Sequence, residues 1–260
     1  MIDLSFPIRE IELFLLILVR VSCFVFTAPF FSLNNVPKRV KIGLSFFIAM
    51  LLYQVLIPME YPDYNTMIGY TIIVIKEATT GLVIGLGAQL CVLILQFSGR
   101  IIDMEIGLSM ASQFDPSTRQ NTTLSGLMYQ YGAYLIMLVT GMHRFIINAL
   151  VETYTLIPVN GMRMQTGTLL DALIDFMGSY IMIGFLIAMP IFATITLMNI
   201  VLGLLAKLAP QMNMFAVGIQ LKLLAGLSVM VLTVTMLPTA TNIICEQMQM
   251  VMVTIVKALS

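Results

Sequence analysis

Apolar residues in this chain come in long runs with no alternation. Six runs are long enough to cross a bilayer as helices, which takes about 20 mostly apolar residues: 11–31, 40–58, 66–97, 124–150, 173–205 and 221–248, the last continuing toward the C-terminus. None shows the ten-residue alternation of a barrel strand. In hydrocarbon a helix satisfies its own N–H and C=O groups. The pattern therefore predicts an all-α, polytopic integral membrane protein of about six long hydrophobic helices, partly hairpins. The third run is too long for one perpendicular span and is interrupted by Lys76 and Glu77. The stretch 99–126 is the main polar interruption. It holds Asp103, Glu105, Asp115, Arg100 and Arg119, with Met104, Leu108, Met110 and Phe114 interleaved. A second break, at 157–171, contains Pro158, Asn160 and several glycines, and separates four N-terminal helices from a C-terminal hairpin.

Composition supports this reading. Of 260 residues, 59% are hydrophobic and 10% charged, against about 25% charged in a soluble domain, so most of the surface does not face water. Net charge is zero, and no basic stripe exists to neutralise phosphates, which argues against nucleic acid. Cys23, Cys91 and Cys245 lie far apart in apolar runs and read as small buried hydrophobes without metal-ligand spacing. The first run opens on Glu10 and Glu12 instead of a basic segment, so it is expected to stay as a membrane helix. Lys38, Arg39, Lys41, Arg100, Arg119, Lys207 and Lys222 follow odd-numbered runs, and Arg9, Arg163 and Lys257 fall in the other set. The positive-inside rule then places both termini outside and 99–126 in the cytoplasm.

No catalytic constellation is present. His143 is the only histidine, and the chain lacks the zinc-protease, elbow-hydrolase and P-loop signatures. No enzyme activity, metal or cofactor is expected, and His143 reads as a packed or interfacial side chain. Ionisable groups within spans are costly and face protein or water. Arg20, Lys76 and Glu77 are thus either satisfied inside a helical assembly or line a hydrated path. Lys76 and Glu77 are neighbours on a helix and point about 100° apart, so they need not pair with each other. Gly81, Gly85 and Ala88 form a row of small residues that lets two helix backbones approach closely. Pro190 and Asn199 point to a kink and a buried hydrogen-bonding site, or to ordinary helix irregularity. The 22 methionines are adaptable side chains suited either to lipid or to a gasket around a passing chain.

Four segments carry a family resemblance. They are Pro37-Lys38-Arg39-Val40-Lys41, Gly107-Leu108-Ser109-Met110-Ala111 through Phe114-Asp115-Pro116, Gly141-Met142-His143, and Leu208-Ala209-Pro210-Gln211-Met212-Asn213-Met214-Phe215. In this order they resemble the flagellar biosynthesis protein FliR family, the export-gate subunit of flagellar type III secretion, with relatives in virulence injectisomes. The resemblance covers nearly the whole chain. It implies a non-enzymatic subunit of the cytoplasmic membrane at the flagellar basal body, present as one copy beside P and Q export-gate subunits and other export-apparatus membrane proteins. Unfolded flagellar proteins would pass through that complex, which sits largely above the membrane plane. Residues 1–160 would be a P-like part and 161–260 a Q-like hairpin. A plug loop at 99–126, centred on 106–122, would place Ile106, Gly107, Leu108, Ser109, Met110, Phe114, Asp115 and Pro116 in the closed pore. Gly99, Gly107 and Gly126 would give the backbone freedom for its displacement. Arg20, Lys76, Glu77 and Asn199 would be buried or assembly-facing polar groups, and Pro37, Lys38, Arg39, Pro210, Gln211, Met212 and Phe215 would form the motif loops. Arg144 departs from the apolar residue often found beside this histidine, and the residues after Asp115-Pro116 vary among relatives. The alternatives are an injectisome subunit, or a small-solute transporter with Arg20, Lys76 and Glu77 at its midplane. The transporter reading lacks the inverted repeat it requires. An intramembrane enzyme using Asp103 and Glu105 ranks third.

Overall fold

The computed structural model describes residues 8–33, 35–56, 64, 66–109, 123–209, 211 and 213–260. Every regular element among them is helical: α1 (Ile8–Thr27), α2 (Lys38–Leu56), α3 (Met67–Ile106), α4 (Leu124–Val139), α5 (Met142–Leu156), α6 (Thr166–Leu208), α7 (Met214–Thr233), a 3-10 turn (Val234–Met236) and α8 (Leu237–Leu259). The chain is an all-α membrane protein, as its apolar runs require.

The expected runs become helices with two differences. The run 124–150 is broken: Gly141 takes a left-handed conformation with φ of 78°, and α4 and α5 are bent by 73° at that point. Gly adopts this backbone without the Cβ clash that bars other residues. The second difference concerns α1. Among the described residues, four helical stretches are long and apolar enough to cross a membrane, namely α2, α3, α6 and the α7–α8 run, or five if the bent pair is one span. The long hydrophobic helices expected from the runs are present, and not all of them are candidate crossings by length and composition. Helix α1 drops out because Glu10, Glu12 and Arg20 crowd its twenty residues.

Helix length is the other constraint. At 1.5 Å per residue, the 40 residues of α3 and the 43 of α6 extend about 60 Å and 65 Å, roughly twice the hydrocarbon thickness. The two are covered unequally: 56% of the most apolar stretch of α3 is buried in the chain, against 28% for α6. Helix α6 runs through Pro190, which has no N–H to give the carbonyl of Leu186. Both residues border a cavity of about 410 Å³ with Tyr129 and Thr233.

The chain divides into two compact units. Unit 1 comprises Met1–Cys91, Gly141–Phe176 and Glu246–Ser260; unit 2 comprises Val92–Thr140 and Met177–Cys245. Each has its own core. In unit 1, Leu16, Ile17, Val21, Ile84, Ile146 and Met248 are sealed from solvent, and in unit 2, Ile94, Leu95, Ile106, Met137, Ile191 and Ile195 are. Within unit 1 the ring of Phe14 on α1 meets Phe46 and Tyr53 of α2 edge-on, with centroids 5.6 and 5.9 Å away. The loop before α6 also docks there. Backbone N–H groups of Arg163 and Gln165 donate to the carbonyls of Leu259 and Ala258, each at 3.0 Å, satisfying acceptors that a helix C-terminus otherwise leaves orphaned.

Candidate functional site

Two polar clusters stand inside the apolar framework, one in each unit. The first is built on the row of small residues in α3. A Cβ on Gly81 would lie 2.1 Å from the carbonyl oxygen of Arg20, and one on Gly85 would lie 2.0 Å from the hydroxyl of Thr27. Ala88 continues the row and is fully buried. Only small residues admit α1 this closely, and this contact brings Arg20 beside Glu77. Arg20 Nε donates to Glu77 Oε2 at 2.6 Å with both side chains inaccessible to solvent. Its Nη1 donates to the carbonyl of Ile157 at 3.0 Å, and its guanidinium lies 4.2 Å from the ring centroid of Tyr154. Nη2 has no partner among the described residues. The other Glu77 oxygen accepts from the Asn160 backbone N–H at 3.1 Å.

Lys76 and Glu77 thus do not pair with each other; both hold Asn160. Lys76 Nζ donates to the Asn160 side-chain oxygen at 3.1 Å and to its carbonyl at 3.5 Å. Asn160 sits at φ of 68°, a region that asparagine tolerates better than most residues. Arg20 and Glu77 are both sealed from solvent and paired with each other. Tyr154, Ile157 and Asn160 are partners that the sequence gave no direct sign of.

The second cluster flanks the polar stretch 99–126. A Cβ on Gly99 would lie 2.2 Å from both Cα and N of Gly126, so α3 and α4 cross there backbone to backbone. One turn before the crossing, Gln96 Nε2 donates to Gln130 Oε1 at 2.9 Å, and Gln130 Nε2 to the Tyr134 hydroxyl at 3.1 Å. One turn beyond it, the buried Asp103 receives the Ser125 N–H at 3.3 and 3.4 Å on its two oxygens, and the Ser125 hydroxyl donates to Oδ1. Thr123 caps the same helix end, its hydroxyl oxygen accepting from Gly126 N at 3.2 Å. The negative carboxylate faces the positive end of the α4 dipole. Ile106 is fully buried against α7, where a Cβ on Gly226 would lie 2.4 Å from Ile106 Cγ1. Gly107 then ends α3 at φ of 93°, with its N–H bonded to the Asp103 carbonyl at 3.1 Å.

This corrects one expectation. Gly99 and Gly126 are glycines because two helices touch at them, and only Gly107 uses the conformational freedom of glycine. Of the expected plug residues, Ile106, Gly107, Leu108 and Ser109 are described, the last three half-buried. Met110, Phe114, Asp115 and Pro116 lie outside the described residues, as do Arg119, Pro210, Met212 and the side chain of Phe215. Pro37, Lys38, Arg39 and Gln211 are exposed; Pro37 opens α2, its carbonyl accepting from Val40 N at 2.9 Å. Asn199 is not buried within the chain, so of the buried or assembly-facing positions expected for it the first is not found here. It sits on the outer side of α6, a helix largely uncovered by the rest of the chain. His143 is half-buried, with Nδ1 unpartnered among the described residues.

Comparison with known proteins places these features in a family. The family model described as bacterial export proteins, family 1, matches residues 11–248. Among curated relatives, the flagellar biosynthetic protein FliR of Bacillus subtilis is 30% identical over 212 residues, 81% of each chain. FliR of Escherichia coli is 29% identical over 214 residues, 82% of this chain and 80% of the relative. FliR of Aquifex aeolicus is 29% identical over 220 residues, 84% and 83% respectively. With its apolar helices and a matched region that takes in both polar clusters, this chain belongs to family 1 of the bacterial export proteins, the family of the flagellar biosynthetic protein FliR.

Proposed function

We propose that the protein is a subunit of the flagellar protein-export gate in the cytoplasmic membrane. There it forms, with P and Q partner subunits, the pore through which unfolded flagellar proteins pass. The observation that carries this reading, beside family membership, is the mismatch between helix length and bilayer. Helix α6 keeps apolar side chains such as Ile174, Met182, Leu197 and Leu204 exposed along its length, while a bilayer covers about 30 Å. Apolar surface beyond that span needs other protein to cover it. Asn199 on the same helix would then be satisfied by an assembly neighbour. In this reading residues 1–160 are the P-like part and 161–260 the Q-like hairpin, and the chain works without chemistry of its own.

The segment 106–122 would act as the plug. Its two ends favour this role. Ile106 and Asp103 fix the exit from α3, Thr123 and Ser125 fix the entry to α4, and the Gly99–Gly126 crossing holds the two ends together. Both anchors are held by packing and hydrogen bonds, so displacement of the plug would take place between them. Deleting 108–122, which spares the anchoring Ile106 and the Gly107 turn, is expected to leave the assembly intact and to raise ion leakage across the membrane severalfold, read as proton or dye flux in cells or vesicles. Unchanged conductance with normal assembly would overturn the plug. Purification of the chain as a lone monomer that binds a small solute would instead favour the transporter reading.

A further inference from the structure

The first half of α3 is covered on one side only. Glu77, Gly81 and Gly85 face α1. On the opposite side of the helix, Ile68, Ile72, Ile75, Leu82 and Leu86 are each more than 40% exposed, and the half-buried Thr79 completes their row. The steps along this row are 4, 3, 4, 3 and 4 residues. That alternation is the seam by which one helix packs knobs-into-holes against another. The Thr79 hydroxyl is committed to the carbonyls of Ile75 and Lys76, so it asks nothing of a neighbour and presents its methyl.

Lys76 follows Ile75 and so flanks the seam, where helix pairs place the charges that choose a partner. Its ammonium has three protons to give, and its hydrogen bonds go to two neutral acceptors, both on Asn160. Glu77 is committed to Arg20 and the Asn160 N–H. Among the described residues no carboxylate lies within ion-pairing distance of Lys76. The half-buried lysine lines a groove of about 310 Å³ beside the seam, walled by Ile72, Ile75, Thr79, Met162 and Met164. A second copy of this chain does not supply the missing charge. The other positions flanking the seam are Gly69, Thr71, Ala78, Val83 and Gly85, none of them acidic, so two such faces would meet with an unpaired lysine on each. A wholly apolar helix would cover the row and seal the ammonium without a counter-charge, which is costly. We propose that this face of α3 docks a helix of a different subunit. Its apolar side chains interlock with Ile68, Ile72, Ile75, Leu82 and Leu86, and one carboxylate beside them enters the groove and pairs with Lys76 Nζ. The inference rests on the reading of this chain as a subunit of an assembly. It is independent of the plug and does not require α3 to lie in lipid.

The test places a photocrosslinking amino acid at Ile72 or at Met164 of the full, tagged chain, in cells that make the complete export apparatus. The expected product is a crosslink to one membrane protein other than this chain. Mass spectrometry of the captured peptide should find Asp or Glu within about one helical turn of the crosslinked residue. Lys76→Glu should lower recovery of that protein with the tagged chain about tenfold, and reversing the captured carboxylate to lysine should restore it. Lys76→Gln still reaches Asn160 through its amide, so the unfolding midpoint should hold while recovery falls about threefold. Recovery unchanged by both variants, a captured peptide without a carboxylate, capture of a second copy, or capture of lipid alone would overturn the proposal. A chain that purifies in a larger assembly yet crosslinks at neither position sinks this docking face and leaves the assembly standing. A chain that purifies as a lone monomer sinks both.

Discussion

The two polar clusters bury charge in opposite ways. In unit 1 the carboxylate of Glu77 faces a cation, and both are sealed from water. In unit 2 the carboxylate of Asp103 has no cation in contact among the described residues and faces the N-terminus of a helix. An ion pair in a dry interior is demanding, because removing either partner strands the other. A carboxylate at a helix end is forgiving, because several N–H groups and the helix dipole share its charge. Unit 1 is therefore locked at a point, with α1, α3 and the 157–161 turn all converging on one guanidinium. Unit 2 is joined along a seam, with Gln96–Gln130, Gly99–Gly126 and Asp103–Ser125 in successive turns. The seam leads directly into the polar stretch.

Three substitutions, with one rescue and one control, test this contrast, taken from the largest effect to the smallest. Glu77→Ala leaves Arg20 buried without its counter-ion and is expected to cost about 3–5 kcal/mol, read from unfolding of the purified full chain in detergent. Replacing the pair together, Arg20→Met with Glu77→Leu, should recover most of that loss. Gly99→Ala sets a methyl against the Gly126 backbone and should cost about 1–3 kcal/mol. Gly203→Ala is its control, since a Cβ there meets nothing within 4 Å, and it should leave stability intact or raise it. Asp103→Asn keeps an acceptor for Ser125 while losing the charge, and about 1 kcal/mol is expected. If Asp103→Asn proved as damaging as Glu77→Ala, the seam would be a second lock and the contrast would collapse.

Much of this arrangement was legible in the residues. Runs of apolar side chains marked the helices, and Gly81, Gly85 and Ala88 marked the face where α1 lies. Arg20 and Glu77 announced themselves as costly charges within apolar runs. Their connection through Asn160 was not legible, because the loop that bridges them comes more than eighty residues after Glu77. Periodicity along one helix carries no information about such a partner. Gly99 and Gly126 show a different limit. A glycine can serve a positive φ or a close approach, and the sequence alone does not separate the two. The break at Gly141 is not legible for a related reason, since apolar residues continue on both sides of it. Length alone does not separate a candidate crossing from a helix such as α1, which its charge density leaves out of the candidate spans among the described residues.

The docking of Arg163 and Gln165 on the carbonyls of Leu259 and Ala258 bears on the order of biogenesis. Residues 92–140 and 177–245 are all synthesised before 246–260 leave the ribosome, so unit 2 has its full sequence first. Unit 1 starts earlier yet waits for its last helix segment. The N-terminal helices of unit 1 remain incomplete until the end of α8 arrives. Until then the surface that those last turns cover stays open, and the final turns of α8 close the unit that was begun first.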